Sequence, residues 1–274
     1  MDYQFELVGK IGSMALIRQE DRDIDYNIFS RIGAELKPGM IWVTSGATEI
    51  GRLDYIKRTG CELSGDPEQD KADYSAQGQA ILMQNYRQFV RPEYGIRQIL
   101  VEHTHFNDPE KSEHIRQMLI RSARQKTIPI VNYNDPVSDE ENRKMELAAR
   151  RMQGGEVHEC VDNDETAAVI AGLVKAKTLV LMTSTEGIYR DPGNPDTLVR
   201  EVAGKTFEEV EKMVRELQES CVGSSRAGSN GARAKLEYAL GCVRGGTTVI
   251  IGHARHRLSD LTEGRVPCTR IGVY

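Results

Sequence analysis

Residues 40–47 read Met40-Ile41-Trp42-Val43-Thr44-Ser45-Gly46-Ala47, five residues without a charge followed by three small ones. A strand with one wet face alternates apolar and polar residues, so an uncharged run of this kind reads as a strand buried on both faces. The small residues predict a tight turn at its carboxyl end. Ile99-Leu100-Val101, Ile128-Pro129-Ile130-Val131, Thr178-Leu179-Val180-Leu181-Met182 and Thr247-Thr248-Val249-Ile250-Ile251 share this character, and Phe5-Glu6-Leu7-Val8 reads as a strand with a single charge. Helix-period segments lie between them. Over 25–36, Ile28, Ile32 and Leu36 recur every four residues and Pro38-Gly39 ends the run; further helices are expected over 74–90, 110–125, 164–175, 207–217 and 231–243.

Uncharged strands alternating with helices predict an α/β chain, its mainly parallel sheet covered by helices on both faces and its ligands at the carboxyl ends of the strands. The polar stretches 60–71 and 137–156 read as surface loops or lids. A soft boundary falls near 175–178, where the strand and helix rhythm restarts without a Pro, Gly or Ser linker.

The 274 residues carry 36 Lys+Arg against 41 Asp+Glu, and the net charge of −5 is not gathered into a basic patch, which argues against nucleic acid or an anionic membrane as partner. No run reaches the ~18 apolar residues of a membrane span. The opening MDYQFELVGK has no basic segment followed by an apolar one, so it does not read as a secretory signal, and a cytoplasmic protein is expected. Cys61, Cys160, Cys221, Cys242 and Cys268 are odd in number and never form C-x-x-C, which fits reduced thiols. The pairs His103/His105 and His253/His256 lack a neighbouring Cys or carboxylate at metal-ligand spacing, so no resident metal site is expected.

Glycine-rich and Asn/Asp-rich turns cluster at strand ends. Gly9-Lys10-Ile11-Gly12-Ser13 offers close backbone approach and a mobile cation, and Thr44-Ser45-Gly46-Ala47 is either an anion nest or a plain strand-to-helix turn. Asn132-Tyr133-Asn134-Asp135 and Asp162-Asn163-Asp164 combine amides with carboxylates. Capping explains one Asp before a helix; three consecutive polar residues suit an amino-acid-like ligand, with Asp135 for an ammonium and Asn163 for a carboxylate or amide. Gly228-Ser229-Asn230-Gly231-Ala232-Arg233-Ala234-Lys235 is a polar loop opening into a helix, suited to phosphate, with Lys235 adding charge. Neither G-x-x-x-x-G-K-[ST] nor G-x-G-x-x-G after the first strand is present, which excludes a P-loop and demotes a dinucleotide dehydrogenase.

Taken in order, Lys10-Ile11-Gly12-Ser13, Val43 through Ala47 with Gly51-Arg52, Ala76-Gln77-Gly78-Gln79, Ile128 through Asp135, Asp162-Asn163-Asp164, Ala171-Gly172-Leu173, Leu181-Met182-Thr183 with Gly187-Ile188-Tyr189, and Gly231 through Leu236 resemble the amino acid kinase superfamily, above all its glutamate 5-kinase branch. The resemblance spans nearly the whole chain. It implies a three-layer α/β/α sandwich in which residues 1–175 bind the acceptor and residues 176–274 the nucleotide. The implied activity is ATP-dependent phosphorylation of a small carboxylate, first of all the γ-carboxylate of L-glutamate, giving the glutamyl 5-phosphate of proline biosynthesis. Mg²⁺ would accompany ATP.

By the same resemblance, Lys10 and Lys235 neutralise the transferring phosphoryl group and Asp164 orients both lysines. Ser45, Gly46, Ala47, Asp135 and Asn163 hold the acceptor. Lys10, Gly12, Ser13, Thr183, Ser184, Ser229, Asn230, Gly231 and Lys235 line the nucleotide site. A homo-oligomer and a reductase that consumes the product are further implications. The chain also departs from the family. Thr183-Ser184 stands where Thr-Asp is usual, Gly228 to Ala234 replaces Gly-Thr-Gly-Gly-Met, Pro136 follows Asp135, and the RNA-binding-like domain that many relatives append is expected to be absent after Tyr274. These differences keep open another acid, a phosphonate or a phosphate ester as acceptor, and a nucleotide-binding regulatory or storage module without catalysis.

Overall fold

The computed structural model describes residues 4–138, 140–152, 154, 157–160, 162–191, 194–220 and 231–274. Eight strands of these residues build one large, mostly parallel sheet with helices on both sides, the α/β/α arrangement expected. The strands are β1 (Phe5–Ile11), β2 (Met40–Thr44), β3 (Gly95–Val101), β4 (Thr127–Tyr133), β5 (Ala176–Thr183), β6 (Glu201–Gly204), β7 (Thr248–His253) and β8 (Cys268–Val273). The main helices are α1 (Tyr26–Glu35), α2 (Ala47–Thr59), α3 (Pro67–Phe89), α4 (Pro109–Arg124), α5 (Glu140–Met152), α6 (Asn163–Leu173), α7 (Phe207–Ser220) and α8 (Gly231–Arg244).

Contacts group the chain into two compact units, and the grouping differs from a cut at residue 175. One unit gathers 1–11, 39–43 and 162–274; the other gathers 12–38 and 44–161. The cause lies in strand pairing. β1 runs parallel to β5, with Lys10 opposite Leu181, so the first residues group with the last third of the chain. In that first unit β5 also pairs parallel with β7, while β7 and β8 are antiparallel and β6 joins β8 in parallel. Helix α6 packs on β1, β5 and α8, and α7 packs on β6, β8 and α8. β1 is longer than its sequence suggests and takes in Gly9 and Lys10, placed above in a turn. Gly9 extends it because a Cβ there would lie 2.3 Å from the ring of Trp42, so only a bare backbone fits beside that buried indole.

In the second unit β3 and β4 pair in parallel, α4 packs on β4, and α2 packs tightly on α3. A Cβ at Gly78 would lie 1.8 Å from the carbonyl oxygen of Ala47, and one at Gly51 equally close to that of Tyr74. Two helix backbones therefore touch, and the contact fixes the first turn of α2. Gly78→Ala is expected to cost about 3 kcal/mol by overpacking, since the obstructing atoms are backbone and cannot swing aside. Urea unfolding followed by far-UV circular dichroism measures this, and an unchanged midpoint would refute it.

Two expected loops contain helix. Asp66 accepts hydrogen bonds from the N–H groups of Glu68 and Gln69, and Pro67 takes the first helical position, so α3 begins seven residues before Tyr74. Between 137 and 156 lies α5, whose acidic first turn (Glu140, Glu141) and basic last turn (Arg150, Arg151) match the helix dipole although only Leu147 is buried. Among the described residues no helix is long and apolar enough to cross a membrane.

Candidate active site

The first unit brings three charged residues together. Asp164 stands in the opening turn of α6, which Asp162 caps by accepting the N–H groups of Asp164 and Glu165, each at 2.9 Å. One carboxylate oxygen of Asp164 meets Lys10 Nζ at 2.6 Å and the other meets Lys235 Nζ at 2.9 Å. Lys10 projects from β1 and Lys235 from the first turns of α8. The mobile cation read from the glycine-rich segment is thus a clamped one, with its side chain only 11% exposed. Burial alone would push Asp164 up, but the two ammonium groups overcome it and hold the carboxyl below the usual aspartate range. Asp162 moves the other way, raised by burial and by the neighbouring Asp164 charge. The three side chains Lys10, Asp164 and Lys235 sum to one net positive charge in a water-poor setting, where electrostatic attraction for an anion is strongest.

The remaining expected residues of this unit fall nearby in sequence but differ in state. Asn163 is the first residue of α6. Thr183 ends β5, and its hydroxyl donates to the carbonyl of Thr185 while accepting that residue's N–H, both at 3.0 Å. Ser184 is exposed. Gly231 starts α8 with φ of 54°, a left-handed value that favours glycine. Ser229 and Asn230 lie outside the described residues, as does Cys221. The sequence reading missed Glu186, two residues beyond the Ser184 that replaces an Asp. Its carboxylate is mostly buried, 2.6 Å from His256 Nε2 and paired with Arg255, at the carboxyl ends of β5 and β7. A carboxylate is therefore present after this strand, displaced along the chain, and "Thr-Glu-Gly" was the signal for it.

In the second unit, Gly46 adopts φ of 101° as the residue before α2, and no side chain caps that helix. Ala47 is its buried first residue. Ser45 O accepts the hydroxyl of Thr44 at 3.1 Å, and Ser13 Cα would stand 3.7 Å from a Cβ at Gly46, which draws the Gly12-Ser13 turn to the same place. Asp135 opens a short 3-10 turn and its carboxylate meets Lys71 Nζ at 3.2 Å. Lys71, also missed from sequence, sits one helical turn inside the early start of α3.

The histidine pairs serve structure. His105 Nδ1 accepts the N–H of Glu102 at 2.9 Å, His103 Nε2 lies 2.9 Å from Glu146, and His253 Nδ1 accepts the N–H of Arg255 at 3.0 Å. Among the described residues no three His, Cys, Asp or Glu side chains converge as for a metal ion. Cys61, Cys160, Cys242 and Cys268 are free thiols, and burial raises that of Cys242 to about 12, which makes it inert.

Residues 6–253 match the amino acid kinase family. Glutamate 5-kinase of Geobacillus thermodenitrificans is 30% identical over 97% of this chain and 67% of its own length. Glutamate 5-kinase of Gloeobacter violaceus is 30% identical over 85% of this chain and 58% of its own. Among solved structures, carbamate kinase from Giardia lamblia bound to AMP-PNP superposes with a TM-score of 0.60 at 13% identity, covering 98% of both chains, a likeness that shows the fold.

Proposed function

The chain belongs to the amino acid kinase family, and from that premise we propose that it transfers the γ-phosphoryl group of ATP to the γ-carboxylate of L-glutamate, giving glutamyl 5-phosphate. The observation that carries the reading is the Lys10–Asp164–Lys235 cluster, two cations held on one buried anion. A carboxylate with pKa near 4 is already ionised at neutral pH and needs no general base. Its oxygen forms the new bond to phosphorus while the bond to the β–γ bridging oxygen breaks and the electron pair leaves on ADP. The work left to the protein is alignment and charge neutralisation.

In this reading Lys10 and Lys235 meet the equatorial oxygens of the moving phosphoryl group, and Asp164 keeps both ammonium groups on one side of it. Residues 44–47 with Asp135 and Asn163 would hold the acceptor; Gly12, Ser13, Thr183, Ser184 and the segment through Ser229, Asn230, Gly231 and Lys235 would hold the nucleotide. Mg²⁺ arriving with ATP would be held chiefly by phosphate oxygens, which suits its preference for keeping water ligands. An acyl phosphate is readily hydrolysed, so the product calls for a reductase that consumes it promptly.

The test is ADP release with ATP and Mg²⁺ across an acceptor panel led by L-glutamate, with hydroxylamine present to trap an acyl phosphate as its hydroxamate. Equal yields of ADP and hydroxamate, dependent on glutamate, are expected. ADP with a different acid or a phosphonate would move the substrate, and nucleotide binding with no turnover on any acceptor would replace the kinase by a regulatory module.

A further inference from the structure

Helix α3 carries Lys71, Ser75 and Gln79 at successive i, i+4 positions, which places them along one face. Their surroundings grade from solvent to core. The Lys71 side chain is 60% exposed, whereas Ser75 and Gln79 are 1% and 7% exposed. Gln79 Oε1 accepts a hydrogen bond from Asn132 Nδ2 at 2.8 Å, yet Gln79 Nε2 has no partner among the described residues, and neither has Ser75 Oγ. A buried donor left unpaired costs free energy, and two of them one turn apart on a helix are uncommon in a folded chain. Both groups can donate to oxygen. Lys71, next along the face, adds a positive charge, and its pairing with Asp135 sets an anion beside it.

We propose that this strip is the recognition site for the α-amino-acid head of the acceptor: Ser75 Oγ and Gln79 Nε2 donate to the α-carboxylate, Lys71 balances its charge, and Asp135 takes the α-ammonium. The inference rests on the reading of the acceptor as an amino acid and adds the residues that would tell it from a simple acid. Lys71 and Asp135 form a pair of opposite charges 3.2 Å apart, the complement of a zwitterion whose two charged groups share one α-carbon. Asn132 acts through Gln79, turning the amide so that Nε2 faces the ligand.

Ser75→Ala separates this from a structural role. An unpaired hydroxyl is removed, so the ligand-free variant is expected to unfold at a higher temperature than the wild type while L-glutamate binds about tenfold more weakly in calorimetry without ATP. Lys71→Met is expected to weaken L-glutamate to a similar degree, raise its KM and leave kcat within about twofold, yet leave unchanged the weaker binding of 4-aminobutyrate, which lacks the α-carboxylate. The proposal is overturned if Ser75→Ala loses stability with unchanged affinity, if both ligands weaken alike, or if the wild type binds no α-amino acid. Binding of L-glutamate by the strip without any hydroxamate would instead sink the kinase reading and leave the strip standing.

Discussion

Asp164→Asn is expected to remove turnover almost entirely and to destabilise the chain by about 3–5 kcal/mol, because deleting one partner of a buried ion cluster strands the others. Here the buried Lys10 and the partly exposed Lys235, at 2.6 and 2.9 Å from the lost charge, would repel one another with only partial screening by water. The lysines then swing apart or lose protons, and in either case the phosphoryl group meets less positive charge. A fall in kcat of at least about 100-fold is expected, on the scale of removing one preorganised charge donor. The stability difference carries a pH signature. The Asp164 carboxyl is held below its unfolded value, so its contribution is complete above about pH 4 and fades as acid is added through the lower folded value. Wild type and variant should therefore converge in unfolding free energy on acidification. A constant gap down to strongly acid pH, or turnover within twofold of wild type, would show that the anion anchors nothing.

Replacing either lysine by methionine comes second in size. Lys10→Met keeps the length of the stem in β1 and removes the charge, and a loss of about 10³ in kcat is expected with a smaller change in the KM for ATP. Lys235→Met should behave alike. If both cations act on one transferring group, as proposed, the double variant is expected to lose much less than the product of the single losses. Lys10→Arg is not expected to rescue, because a planar guanidinium does not fit where an ammonium sits buried against one carboxylate oxygen. Pre-steady-state measurement of ADP formation checks all four variants, and full turnover in both single methionine variants would remove the chemistry from these residues.

Six of the eight strands were legible because burial on two faces leaves little room for charge; β6 and β8, which carry Glu201 and Arg270, escaped the reading. Most helices were legible, α1 from Ile28 and Ile32 one turn apart before Pro38-Gly39. Lys10, Asp164 and Lys235 were legible as a set only through the resemblance; by spacing alone they are three residues far apart in the chain. Glu186, Lys71, Ser75 and Gln79 escaped for different reasons. Glu186 lies two positions beyond Ser184, outside the positions the resemblance covers. Lys71 depends on where α3 starts, and a start at Tyr74 puts it in a loop, unrelated in direction to Ser75; Ser75 and Gln79 lie within the expected helix, but nothing in their residue types marks them as buried without partners. Helix α5 was hidden because its stability comes from charge order along EENRKMELAARRM, with a single buried leucine and no apolar stripe.

The parallel pairing of β1 with β5 also has a consequence for synthesis. Residues 5–11 leave the ribosome well before the strand they pair with, which opens at Ala176. Lys10 must wait for Asp164 and, later still, for Lys235 before the charge cluster can close. Contacts this distant along the chain slow folding and leave the apolar β1 open to wrong partners in the interval. The glycine and lysine in its second half blunt that hazard, since a lone ammonium in an unfinished strand keeps it hydrated until its counter-ion is made.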